Sequence, residues 1–114
     1  MPNHSPFACV MDAIEPQKRE PHIANMRALF NKTLEITELE NGYTFRFSND
    51  EGVLSALMEF IVLERLCCPF FGFAVEVEPE GGAVWLRLTG RDGVKPFIRA
   101  ELGEFLKFEM FDML

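Results

Sequence analysis

The chain has 114 residues, a formal net charge of −7 and 48% apolar residues. That is the length of one domain able to bury a core without staples. Acids spread along the chain argue against nucleic acid and membrane surfaces as partners, because phosphate binding needs clustered Lys and Arg.

No apolar run reaches the length of a membrane span. The start, Met1-Pro2-Asn3-His4-Ser5-Pro6, lacks the basic and apolar regions of a signal peptide. A cytoplasmic location with reduced thiols is therefore expected. Three cysteines do not make a disulfide framework. Twelve Phe against one Tyr and one Trp assign most rings to core or interface, since Phe carries no polar handle.

Taken in chain order, 1–8 read as a loose tail. The N-terminal helical segment, 12–31, comes in two parts: Ile23, Met26, Leu29 and Phe30 recur at helical spacing, and Pro21, with no amide proton, should break or restart the helix. A first ββα unit spans 33–68. Asn41-Gly42 signals its hairpin; a turn there pairs Ile36 with Phe47, with Glu35 diagonal to Arg46. The following helix, from about Asp50 to Cys68, is capped by Asn49 or Asp50 and stopped by Pro69. Its stripe runs Val53, Leu57, Phe60, Ile61, Glu64 and on to Cys67 and Cys68.

A second unit spans 73–108: a hairpin around Pro79-Glu80-Gly81-Gly82, then a helix capped by Asp92 with Phe97, Ile98, Leu102, Phe105 and Leu106 on its apolar face. Arg46-Phe47-Ser48-Asn49-Asp50-Glu51-Gly52-Val53 aligns without gaps on Arg87-Leu88-Thr89-Gly90-Arg91-Asp92-Gly93-Val94, so the unit reads as repeated. The expected fold is α+β: a four-stranded antiparallel sheet with helices on one face, plus an N-terminal helix, in a single domain over 1–114. Residues 109–114 form an apolar tail that folds back or, with Trp85 on the open sheet face, supports a homodimer.

The segment Glu64-Arg65-Leu66-Cys67-Cys68-Pro69-Phe70-Phe71 admits three readings. The thiols can be inert core residues. They can be soft-metal ligands: Cys9 and His22 flank the first helical segment and would complete a three-Cys, one-His set for Zn²⁺, or three thiolates for Cu⁺ or another thiophilic ion. Glu64 and Arg65 would then be supporting neighbours of the ligands. His4 is a further soft-metal donor in the chain. Adjacent cysteines ordinarily point apart, which counts against joint ligation unless the backbone bends at Pro69. Thirdly, they can be a redox pair or a nucleophile. A helix C-terminus and Glu64 both favour the neutral thiols, so an activated nucleophile is the weakest version.

From Cys9 to Leu102, and most specifically in its Glu-Arg-x-Cys-Cys-x-Phe-Phe run, the chain resembles a family of short bacterial proteins with no assigned activity. The resemblance implies that Cys9, Cys67 and Cys68 act as a set; Pro21 departs from that family's pattern. The leading expectation is a non-catalytic protein that binds a soft metal or responds to thiol redox state. The alternative is an interaction module with inert cysteines.

Overall fold

A computed structural model describes residues 5–114. The elements are α1 (Pro16–Phe30), β1 (Thr33–Leu39), β2 (Gly42–Phe47), α2 (Val53–Cys67), β3 (Gly72–Val77), β4 (Val84–Thr89) and α3 (Val94–Leu102). The strands form one antiparallel sheet in the order β1-β2-β4-β3. Its inner face presents Ile36, Tyr43, Phe45, Phe47, Val84, Leu86 and Leu88, all buried. The three helices cover that face. Phe30 of α1 packs edge-on against Phe45, Phe47 and Phe60 of α2, and Arg99 of α3 donates to the Tyr43 hydroxyl at 2.7 Å. Among the described residues no helix is long and apolar enough to cross a membrane.

The two ββα units meet at β2 and β4. The exchange that carries Arg46 onto Arg87 and Trp85 onto Thr44 turns the pair Arg46–Trp85 into Thr44–Arg87, and the sheet contains both. Both helices also start alike. Gly52 and Gly93 each stand before the first helical residue in the left-handed region, at φ 90° and 98°, and Val53 and Val94 are buried. The expected caps from Asn49, Asp50 and Asp92 are not made. In each unit a tight turn closes instead, with Val53 and Val94 amides on the carbonyls of Asp50 and Arg91. A left-handed residue at that point favours glycine, which has no Cβ to clash.

Three sequence expectations are corrected. α1 runs unbroken through Pro21. The ring removes one amide, but Gln17, whose carbonyl loses that partner, lies on the exposed side of the helix, and the inward side is held by His22, Met26, Leu29 and Phe30. His22 thus takes the inward place that periodicity gave to Ile23, which is exposed.

The first hairpin turns on Glu40-Asn41 and not Asn41-Gly42, so Ile36 faces Phe45 and Glu35 directly faces Arg46, accepting its Nε–H at 2.9 Å. Gly42 is needed for contact, not for turn geometry: a Cβ there would meet the Leu88 carbonyl oxygen at 1.9 Å.

The N-terminal segment is also anchored where it is described. Phe7 packs edge-on to Phe70 and lies under the Arg91 guanidinium, which donates to the Ser5 carbonyl. His4 and the rest of residues 1–4 fall outside the described residues. At the other end the tail turns back, burying Met110 and Phe111; the Phe111 ring lies edge-on to Tyr43. Part of the tail's apolar surface is therefore buried within the chain itself.

Candidate metal centre

The site forms where the end of α2 meets α1, α3 and the N-terminal segment. Cys67 is the last residue of α2. Cys68, held out of helical geometry by the Pro69 that follows, sits at φ −130° and ψ 69°. Its amide still closes the last turn on the Glu64 carbonyl at 2.7 Å. One cysteine is inside the helix and the next outside it. This brings two adjacent sulfurs to the same side, 3.8 Å apart. The bend removes the objection that neighbouring side chains diverge.

Glu64 lies one turn earlier on the same stripe, with Oε1 at 3.5 Å from the Cys67 sulfur. α1 packs along α2 and supplies His22, whose Nε2 donates to Glu64 Oε1 at 2.9 Å while its ring stacks on Phe60. Cys9 arrives from the N-terminal segment. That segment is fixed by the Val10 amide on the Cys67 carbonyl at 3.0 Å, and the Cys9 sulfur lies 3.4 Å from the Met11 thioether. Glu101 of α3 closes the far side, 3.8 Å from the Cys68 sulfur.

These side chains form three overlapping triads: Cys9, Cys67 and Cys68; His22, Glu64 and Cys67; and Glu64, Cys68 and Glu101. Within each triad the donor atoms all lie within 4.8 Å of one another. Cys67, Cys68 and Glu64 have no exposed surface and His22 has 2%. Cys9 is exposed. All three cysteines are reduced. A cleft of about 260 Å³ leads in from solvent, lined by Cys9, Met11, His22, Met26, Glu64 and Glu101 among others.

The electrostatics split the two adjacent thiols. The Cys68 S–H beside it, followed by His22, holds the Cys67 thiol down to about 6, against burial and the nearby Glu64. Cys68 is pushed far up, first by its bond to Cys67, then by burial and the two carboxylates. The expectation that both thiols rise therefore fails for Cys67, because the bend at Pro69 turns the Cys68 S–H onto its sulfur and α1 adds His22. Burial pushes Cys9 up to about 12. Burial would depress His22, but Cys67 and Glu64 outweigh it and raise the imidazole to about 9. Burial likewise opposes ionisation of Glu64, yet His22 and Glu101 keep it below the ordinary carboxylate value. Burial, then Glu64, carries Glu101 up to about 10. The shifts run in two directions: Cys67, Glu64 and His22 toward their charged forms, and Cys9, Cys68 and Glu101 toward their neutral ones.

Of the residues singled out in the sequence, Cys9, His22, Glu64, Cys67 and Cys68 converge. Arg65 does not: it is exposed and makes no hydrogen bond or ion pair among the described residues. Glu101 was missed. Its signal was an acid three residues after Ile98 in an apolar stripe, the same oddity that drew attention to Glu64. This group of Cys, His and Glu could hold a metal ion. Comparison with family models, curated proteins and solved structures finds no match for the chain.

Proposed function

We propose that this protein binds one thiophilic metal ion through Cys9, Cys67 and Cys68 and carries out no catalysis. The 3.8 Å separation of the Cys67 and Cys68 sulfurs is the observation that carries the reading. An ion with bonds of about 2.3 Å to each sulfur in a tetrahedron needs an edge of roughly 3.8 Å. The bent helix end thus presents two ligands at working distance, and Cys9 supplies the third from the open side. Cys68 and His22 favour Cys67 as a thiolate, the form that binds metal.

The test is to purify the chain under reductant without oxygen, measure co-purified metals by mass spectrometry, and titrate the apoprotein with Zn²⁺ and Cu⁺ against chromophoric chelators. The expected result is one ion per chain, lost in Cys67→Ser and in Cys68→Ser and weakened in Cys9→Ser. Failure of every ion to bind a folded, reduced chain would leave the thiols as packing only.

The low-lying Cys67 thiol supports a second reading, in which a peroxide oxidises Cys67 to the sulfenic acid with release of water. A neighbouring thiol then condenses with it, forming a disulfide and a second water. A disulfide formed by stoichiometric peroxide, with no affinity for metal, would select this reading.

A further inference from the structure

The cleft that reaches the thiols is built from sulfur as well as carboxylate. Met11 and Met26 both line it, together with Cys9, His22, Glu64 and Glu101. A buried methionine alone is ordinary packing. Met11 differs because its thioether sulfur lies 3.4 Å from the Cys9 sulfur, at the exposed end of the cluster. Met26 is 4% exposed and sits one helical turn beyond His22 on the inward side of α1.

One nitrogen–oxygen pair is placed poorly for joint ligation. His22 Nε2 and Glu64 Oε1 are bonded to each other at 2.9 Å. Two such ligands on one tetrahedral Zn²⁺, each at about 2.0–2.1 Å, would stand roughly 3.3 Å apart. Their contact is that of a hydrogen bond, which occupies Nε2 and Oε1 and leaves His22 Nδ1 and Glu64 Oε2 without a hydrogen-bond partner among the described residues. The sulfur donors number four, three thiols and one thioether, with Cys9 and Met11 on the cleft and Cys67 and Cys68 buried. Thiolate and thioether donors together select Cu⁺ over Zn²⁺, because the thioether is soft and neutral and adds little to a harder divalent ion.

We propose that the ion is monovalent copper and that the Met11 thioether is a further ligand, acting with Cys9 as the outer half of the site while Cys67 and Cys68 form the buried half. Binding is ligand exchange. Copper stays in the +1 state, sulfur–copper bonds replace bonds to the donor complex, and each ligating thiol gives up its proton to solvent. This rests on the metal-binding reading above, and narrows it to one ion and one added residue.

The experiment uses the full chain, reduced and under argon. Affinity for Cu⁺ is measured by competition with bicinchoninate, and affinity for Zn²⁺ by competition with a chromophoric chelator, in the unaltered protein, Met11→Leu, Met26→Leu and Cys67→Ser. Leu keeps the apolar volume, and circular dichroism checks the fold of each variant. The expected result is that the unaltered protein prefers Cu⁺, and that Met11→Leu weakens Cu⁺ about tenfold or more and leaves Zn²⁺ unchanged. Met26→Leu should change neither affinity by as much, because its sulfur has no close partner in the thiol cluster. X-ray absorption at the copper edge should show a sulfur-only shell.

Equal loss of Cu⁺ and Zn²⁺ in Met11→Leu, no loss of either, preference for Zn²⁺, or nitrogen in the copper shell overturns this inference and leaves metal binding standing. Binding of neither ion by the unaltered protein overturns both.

Discussion

His22 Nε2 and Glu64 Oε1 meet at 2.9 Å across 42 positions of sequence, both out of contact with solvent. The pair fixes α1 to α2 at the level of the thiols. Removing one member of a buried pair strands the other: His22→Leu or Glu64→Leu should cost roughly 3–5 kcal/mol. The double replacement by apolar residues should cost less than either single one, since no charge is left behind. Urea unfolding of the four proteins of the double-mutant cycle measures this, and additive losses would show that the pair has no coupling.

The charge state of the cluster gives a pH signature. The Cys67 value, about 6, lies below the ordinary thiol value of 9.0, so its contribution to stability is complete above about pH 9 and is lost as pH falls through about 6. His22, raised from 6.5 to about 9, contributes fully below about 6.5 and loses its contribution as pH rises through about 9. Between about pH 6.5 and about pH 9 the two slopes oppose each other and largely cancel, and outside that window neither group adds a slope. Denaturant midpoints should stay nearly level across that window, and Cys67→Ser should remove the rise that belongs to this thiol and uncover the fall with rising pH that belongs to His22. The ultraviolet thiolate band should titrate with a midpoint near 6 in the unaltered protein and be absent there in that variant. A first midpoint in the ordinary thiol range would refute the assignment.

Metal binding should strengthen with pH. Burial pushes Cys9 up to about 12, and Cys68 is raised as well, by its bond to Cys67 and by burial, so an ion must displace a proton from each. Each displaced proton makes the apparent affinity rise about tenfold per pH unit. Chelator competition at several pH values reads the number of protons released as a slope. A flat profile would mean that neither thiol ligates.

Two glycines should respond differently to alanine. At Gly42 the added Cβ would meet main-chain atoms of Leu88 and Thr89 closer than 3 Å, so strands β2 and β4 must part. At Gly52 there is nothing within 4 Å, and only the left-handed φ of 90° resists. Gly42→Ala should abolish or severely weaken folding; Gly52→Ala should cost on the order of 1 kcal/mol. Thermal unfolding distinguishes them, and comparable losses would contradict the close strand approach.

The tail gives a fourth stability test. Phe111 is buried, with its ring 5.0 Å from Tyr43 and under the Arg99 guanidinium. Phe111→Ala should cost about 3–5 kcal/mol by cavity formation. Met113→Ala, at a residue 72% exposed, should be close to neutral. Urea unfolding that finds the two alike would show that the tail does not dock in solution.

The sheet and its helices were legible because each strand alternates and each helix carries one apolar stripe, and the aligned Gly-Val starts exposed the repeat. Details set by close contact were not. Pro21 breaks a helix only where nothing else holds it, and the packing of α1 on α2 does so. Asn41-Gly42 marked a hairpin correctly, but Gly42 serves the neighbouring strand and the turn falls one residue earlier. Within the site, Glu64 and the cysteines stood out as polar or reactive residues on an apolar stripe. Glu101 had the same mark and was passed over. The low Cys67 value depends on Cys68, His22 and Cys9, and only the first adjoins it in the chain.

The Val10–Cys67 main-chain bond has a consequence for how the protein comes into being. During synthesis Cys9 leaves the ribosome before the other residues of the cluster, yet the segment that carries it docks through Val10 on the carbonyl at the end of α2. The last wall, Glu101, follows later still. A nascent chain therefore carries its thiols unassembled until the end of α2, and then α3, has emerged.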